Sequence, residues 1–261
     1  MNGAVLPLLA GVLGLLVGSF LNVVVYRVPR GESVVRPGSR CPGCGTPIAP
    51  RDNVPVVSWL LLRGRARCCG QRIPARYPLV ELATGAAFAA VAAWLGPSWA
   101  LPAFWYLAAI SIALALIDVA VHRLPDPIVL PSYPVGAALL GLASLAEHDG
   151  ASVLRAAIGG VVLWLLYLVL VLLYPAGMGL GDVKLAGVLG MYLGWLGWSQ
   201  LLVGAFLGFL LGGVIGLGLM LAGRAGRKTM IPFGPFMLAG AWLAVAIAEP
   251  VSRWYLGFSG L

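Results

Sequence analysis

Charge is scarce in this 261-residue chain: 10% of its residues are Asp, Glu, Lys or Arg, against 61% hydrophobic. With a mean hydropathy of +0.97, that ratio excludes an ordinary soluble domain and describes a polytopic membrane protein. Histidine is scarcer still. Only His122 and His148 are present, and no serine or cysteine stands paired with either, which argues against a serine or cysteine protease. The first apolar run has neither a basic segment ahead of it nor a clear cleavage site, so it reads as a retained helix rather than a signal peptide. No internal repeat or low-complexity tract is evident.

What is present is a series of long apolar runs. A bilayer core about 30 Å thick takes about 20 apolar residues per helix. Eight spans are predicted, at 5–26, 79–95, 102–118, 128–146, 154–174, 183–198, 201–222 and 231–248, with only "WSQ" parting the sixth from the seventh. The expected fold class is an all-α polytopic membrane protein. Its predicted divisions are a first transmembrane helix (1–26), a basic loop with a cysteine knuckle (27–78) and a seven-helix membrane domain (79–261).

The loop carries Arg27, Arg30, Arg36, Arg40, Arg51, Arg63, Arg65, Arg67, Arg72 and Arg76 against only Glu32 and Asp52. A formal net charge of +8 raises nucleic acid as a partner, but arginines gathered beside a membrane helix have a simpler cause. Loops rich in Lys and Arg stay in the cytoplasm, and the partner is the bilayer, with no nucleic acid. Alternating from that loop puts "GRAGRKTM" (223–230), with Arg224, Arg227 and Lys228, inside, and the acidic "EHDG" (147–150) outside. Arg123 and Lys184 fall inside. Arg155 and Arg253 are left on the outer side, and both termini lie outside. The segment "YRVPRGESVVRPGSR" (26–40) is expected along anionic headgroups.

The same topology places two acids. Asp118 ends the apolar run "LAAISIALALI" at the cytoplasmic end of the third span, and Asp182 opens the sixth on the same side. Asp126, in "LPDP", shares that face. An acid at a helix start can simply cap free N–H groups, which suits Asp126 and partly suits Asp182. It does not suit Asp118, because a carboxylate at a helix C-terminus meets the dipole with the wrong sign. Acids in or beside a bilayer are functional by default.

The run "GMGLGD" sets Gly177, Gly179 and Gly181 directly before Asp182. Glycines there either form a plain inter-helix turn or let an extended substrate lie close to the backbone, which makes Gly179 and Gly181 candidate substrate-positioning residues. Two facing carboxylates share one proton. The ionised member takes a proton from water while the protonated member donates to a substrate carbonyl, with no covalent intermediate. Asp118 and Asp182 are the candidate catalytic pair. Lys184 either hydrogen-bonds near Asp182 or marks the membrane boundary. The alternative is an ion- or proton-coupled transporter using the same aspartates, against which stands their place near one face rather than at the midplane.

Six blocks in order resemble the bacterial prepilin peptidases, the type IV leader peptidase family of Gly-x-Gly-Asp membrane aspartyl proteases. They are "GSFLNVVVYRVPR" (18–30), "RCPGCGTPI" (40–48), "NVPVVSWLLLRGR" (53–65), "RYPLVELATG" (76–85), "LIDVAVHRLPDPIVLP" (116–131) and "GMGLGDVKLAGVLGMYLGW" (177–195). The resemblance implies Asp118 and Asp182 as the catalytic pair. It implies cleavage of the basic leader from prepilins and pseudopilins at the cytoplasmic face of the inner membrane, and in many members N-methylation of the new terminus with S-adenosylmethionine. A basic leader is repelled by the arginine loop, which therefore serves topology and lipid rather than substrate. The cysteine loop separates the chain from the related archaeal preflagellin peptidases.

Cys41, Cys44, Cys68 and Cys69 all fall in that loop, where reducing conditions disfavour disulfides. "CPGCG" has the spacing of a zinc knuckle. The family places a second Cys-x-x-Cys after "LRG". This chain has Ala66 at its first position, Cys69 at its second and an extra Cys68 beside it. Adjacent side chains diverge, so both reaching one ion calls for a strained turn. The alternatives are free thiols or a structural Zn2+ on Cys41, Cys44 and Cys69 with Cys68 as the fourth ligand.

Overall fold

The computed structural model describes residues 3–175, 178–224, 226 and 231–259, with side chains through Trp254; Gly177, Arg227 and Lys228 lie outside the described residues. Helices α1 (Val5–Arg27), α2 (Val57–Leu61), α3 (Arg76–Leu95), α4 (Leu101–Val121), α5 (Asp126–Glu147), α6 (Gly150–Leu173), α7 (Leu180–Leu196), α8 (Trp198–Leu221) and α9 (Gly234–Ser259) follow in chain order. Among the described residues there are no strands, only isolated backbone bridges in the loop. The chain forms two compact units, Met1–Ala113 and Leu114–Leu261, so the boundary falls within α4.

In the first unit, α1 packs along α3, and the connection between them is ordered by its own hydrogen bonds. Arg27 donates to the carbonyls of Ser33 (3.0 Å) and Pro37 (2.8 Å), and the Trp59 indole donates to Ile73 (3.0 Å). Arg67 clasps Asp52 through Nε and Nη2 at 3.0–3.1 Å. The Glu81 carboxylate, buried in α3, accepts the Val56 amide at 2.7 Å and thereby holds the entrance to α2. The basic loop is a folded element as well as a run of charge.

In the second unit, α7 is wrapped by α5, α6, α8 and α9. Every residue of α7 from Asp182 to Gly194 is buried except Lys184. Such enclosure requires close backbones. A methyl group at Gly190 would run into the Gly159 carbonyl of α6, so no larger residue fits there. Among the described residues, seven helices are long and apolar enough to cross a membrane. The one expected span outside that set is the sixth, α7, whose 17 residues reach about 25 Å at 1.5 Å per residue. Its neighbours screen it from lipid, which suits a helix that opens with an acid and a lysine. This sixth expected span ends at Gly197, and α8 begins at Trp198, inside the expected "WSQ" break.

Candidate active site

Three chain segments of the second unit converge at the start of α7. The first is the end of α4, which stops where the His122 amide bonds the Asp118 carbonyl (2.8 Å) and His122 takes a φ of 52°. The second is the start of α7. The third is the start of α9, in "PFGPF" (232–236). Leu124 lies between them: a methyl group at Gly181 would stand 3.1 Å from Leu124 Cβ, and one at Gly234 would stand 3.1 Å from Leu124 Cδ2.

Asp118 and Asp182 are both buried, with 5% and 8% of their surface exposed, which in a mostly apolar surrounding demands partners. Each carboxylate gives one oxygen to a backbone amide. Asp182 Oδ2 accepts from Gly179 N (2.9 Å), and the Asp182 amide bonds the Gly179 carbonyl (3.1 Å), so the carboxylate caps the tight turn that opens α7. Asp118 Oδ2 accepts from Gly234 N (3.0 Å), the first residue of α9. Each Oδ1 accepts nothing among the described residues and remains available to a water or a substrate. The two carboxylates lie within electrostatic range of one another, and His122 lies within such range of Asp118.

The wrong-sign dipole at the end of α4 thus has its counterweight. Asp118 sits at the negative end of its own helix but faces the positive end of α9. On the Asp182 side stands an aromatic cluster: Tyr167 of α6, within electrostatic range of Asp182, packs on Phe209 of α8 and Phe233 at 5.1 and 6.3 Å.

The neighbouring polar groups sort themselves differently from the sequence reading. Asp126 is the first residue of α5 but makes no side-chain cap; its Oδ1 accepts from Lys184 Nζ at 2.7 Å. Lys184 is thereby turned to Asp126, and its carbonyl accepts the Tyr133 hydroxyl at 2.6 Å. The two described glycines of the motif also differ. Gly181 is packed against Leu124, whereas Gly179 is exposed with an ordinary extended backbone (φ −95°, ψ 164°), and a methyl there would meet nothing nearer than 3.8 Å. Gly234, Leu124 and Phe233 escaped the sequence reading; the signal was a glycine set between two prolines in "PFGPF".

In the first unit the four thiols form one cluster. Their sulfurs lie within 4.8 Å of one another, with Cys41–Cys69 at 3.6 Å, Cys44–Cys68 at 3.2 Å and Cys68–Cys69 at 3.9 Å. Two matching turns carry them. In one, the Cys41 amide bonds the Thr46 carbonyl (2.9 Å) and the Gly45 amide bonds the Cys41 carbonyl (2.8 Å). In the other, Ala66, Gln71 and Gly70 make the equivalent bonds, both at 2.8 Å. Ala66 thus occupies the place of Cys41, and Cys68, one step before Cys69, fills the vacant corner. The strained turn expected at this dipeptide is not found: neither Cys68 nor Cys69 has a positive φ. Thr46 draws the Cys44 thiol down to about 6, whereas hydrogen bonding to Cys44 and Cys41 pushes Cys68 up to about 12. Four sulfurs bound at about 2.3 Å around a tetrahedral Zn2+ stand about 3.8 Å apart, close to the separations here, so the set can hold a metal.

Two family models cover most of the chain: Bacterial Peptidase A24 N-terminal domain matches residues 12–95, and Type IV leader peptidase family matches residues 105–217. A prepilin leader peptidase/N-methyltransferase of Aeromonas hydrophila is 38% identical over 267 residues, which span 93% of this chain and 91% of the relative. The protein of that name from Neisseria gonorrhoeae is 39% identical over 282 residues (95% and 94%). That of Stutzerimonas stutzeri is 35% identical over 284 residues (100% and 97%). No solved structure matches the chain. With its apolar helices and two buried aspartates, the chain is an integral membrane peptidase belonging to the type IV leader peptidase family.

Proposed function

We propose that this peptidase is an aspartyl endopeptidase that removes the basic leader from type IV prepilins and pseudopilins, with Asp118 and Asp182 as its catalytic pair. The observation that carries the reading is their arrangement. Two buried carboxylates from distant helix ends lie within electrostatic range of one another, each tethered through Oδ2 and open at Oδ1. One proton is shared between them. The ionised member accepts a proton from a water as that water attacks the scissile carbonyl, and the protonated member donates to the carbonyl oxygen. The tetrahedral diol then collapses as a proton passes to the leaving amine.

The substrate backbone lies against Gly179, which the chain itself does not require to be glycine, and Gly181 gives that turn its packing on Leu124. The arginine-rich loop fixes this end of the helices in the cytoplasm of a bacterium, with the protein in the inner membrane and both termini outside. Cys41, Cys44, Cys68 and Cys69 hold a structural Zn2+ that fixes the loop and leaves the bond-breaking step to the aspartates. N-methylation with S-adenosylmethionine is the second activity in the relatives' printed name and comes to this chain on that name.

Co-expression with one pilin precursor, read by mass spectrometry, tests both activities. Loss of the leader mass is expected, with a further methyl increment if the second activity is present. An uncleaved precursor beside well-inserted enzyme would refute the endopeptidase reading.

A further inference from the structure

The first turn of α9 is built so that one backbone amide leaves the helix. Pro232 and Pro235 have no N–H to give, and the amides of Phe236 and Met237 are used on the Phe233 carbonyl at 3.0 and 3.2 Å. The Gly234 amide remains. It is buried, and it reaches across 116 positions of sequence to Asp118 Oδ2 at 3.0 Å. Proline in the first helical turn costs nothing there, because its missing N–H would have no partner inside the helix. Here it also means that neither proline can compete with the Gly234 amide for the carboxylate.

The fit around Gly234 is tight on the side that matters. A methyl group at its Cα would stand 2.8 Å from Asp118 Oδ2, and 3.1 and 3.4 Å from the two Leu124 methyls. The first distance is one that real Cβ atoms do not tolerate, so either the carboxylate or the start of α9 has to move. Asp182 has no such dependence, since its amide donor lies three residues away on its own turn.

From this we infer that Gly234 is the positioning residue of Asp118: its amide orients the carboxylate, and its missing side chain admits the carboxylate to that amide. The inference rests on the proposed role of the aspartate pair. It adds that the start of α9 is part of the machinery, although it bears no catalytic group.

The test is Gly234→Ala in the full-length enzyme, assayed on a prepilin across substrate concentration and pH. Alanine keeps the amide and adds only the methyl. A displacement of the order of 1 Å at a catalytic group costs about 10²-fold, so kcat is expected to fall about 10²-fold with KM within about twofold. The pH profile of kcat should move from that of the wild type, which a general loss of folded protein would leave in place. A kcat within about twofold of wild type overturns the inference. So does a loss that disappears when Leu124→Ala is added, because the methyl would then have been clashing with the leucine alone.

If Gly234→Ala does not insert, Leu124→Ala is compared with Leu124→Ala/Gly234→Ala, where the methyl has room on the leucine side. A drop of about 10²-fold in kcat between those two supports the inference, and equal kcat overturns it. Asp118→Asn is run in parallel. If it processes prepilin normally, the proposed aspartyl mechanism is what fails; if it is inactive while Gly234→Ala is normal, only the role of Gly234 fails.

Discussion

The four thiols of the loop gather through two short turns whose cysteines span 28 positions, whereas the aspartates meet from positions 118 and 182 and are anchored from as far as 234. Three of the thiols are exposed, and both aspartates are buried. A cluster of exposed thiols with repeating backbone turns has its geometry ready but gains stability only when an ion links it. A pair of buried carboxylates has the reverse arrangement: packing and backbone amides hold it, and two oxygens are left over for the proposed reaction. Perturbing the first region should therefore cost stability and perturbing the second should cost turnover.

The sharpest way to break that contrast is Asp118→Asn or Asp182→Asn. Either should lower prepilin cleavage by at least about 10³-fold while insertion and melting stay near wild type, because an amide can neither take the water's proton nor share one. Turnover near normal in either variant, measured by leader release, would remove the pair from the mechanism.

Stripping metal from the loop is the next largest perturbation. Elemental analysis should find about one zinc per chain, and a chelator should lower the melting midpoint and substrate docking before it lowers kcat. Protons compete with zinc for thiolates. With Cys44 drawn below the usual thiol range to about 6, its thiolate is kept above that pH and lost as pH falls through it, so zinc release should steepen there. A chelator that halts turnover of folded, substrate-saturated enzyme would move the metal into the active site.

Variants of the motif glycines test packing and the proposed substrate contact separately within one turn. Gly181→Ala presses on Leu124 and should reduce kcat about tenfold, as a small displacement near Asp182 does. Gly179→Ala meets no atom of the chain closer than 3.8 Å, so it should leave folding and kcat unchanged and raise KM alone. Equal effects from the two would mean that the substrate does not lie along this backbone.

The smallest effects come last. Ala66→Cys with Cys68→Ala rebuilds the regular second knuckle on a backbone that already has its shape, and should bind zinc at least as tightly in a competition assay. Asp126→Asn breaks a half-exposed pair with Lys184, of a kind that contributes about 0–1 kcal/mol. Cleavage should stay within about threefold, and a larger loss would give Asp126 a part in substrate handling.

Much of the helical plan could be read from composition, because apolar length alone sets what crosses a bilayer. The enclosure of α7 could not, since a helix facing lipid and one facing other helices draw on the same residues. Asp118 and Asp182 stood out as costly charges at apolar ends. Gly234 did not, because nothing local to "PFGPF" reveals a partner 116 positions upstream. The cysteine dipeptide was legible as an irregularity but not in its effect. The expectation of strain assumed that both thiols approach the ion from one turn position, whereas Cys68 enters from the position matching Gly43 in the first turn.

The hydrogen bond between the start of α9 and Asp118 also orders events in time. During synthesis both aspartates leave the ribosome before residue 234, so for a stretch of translation the chain carries its complete acid pair without the amide that orients one of them. On the proposed mechanism, cleavage therefore waits for α9. With Asp118 in the proposed role, a chain still lacking α9 would be a poor protease toward the membrane proteins made beside it.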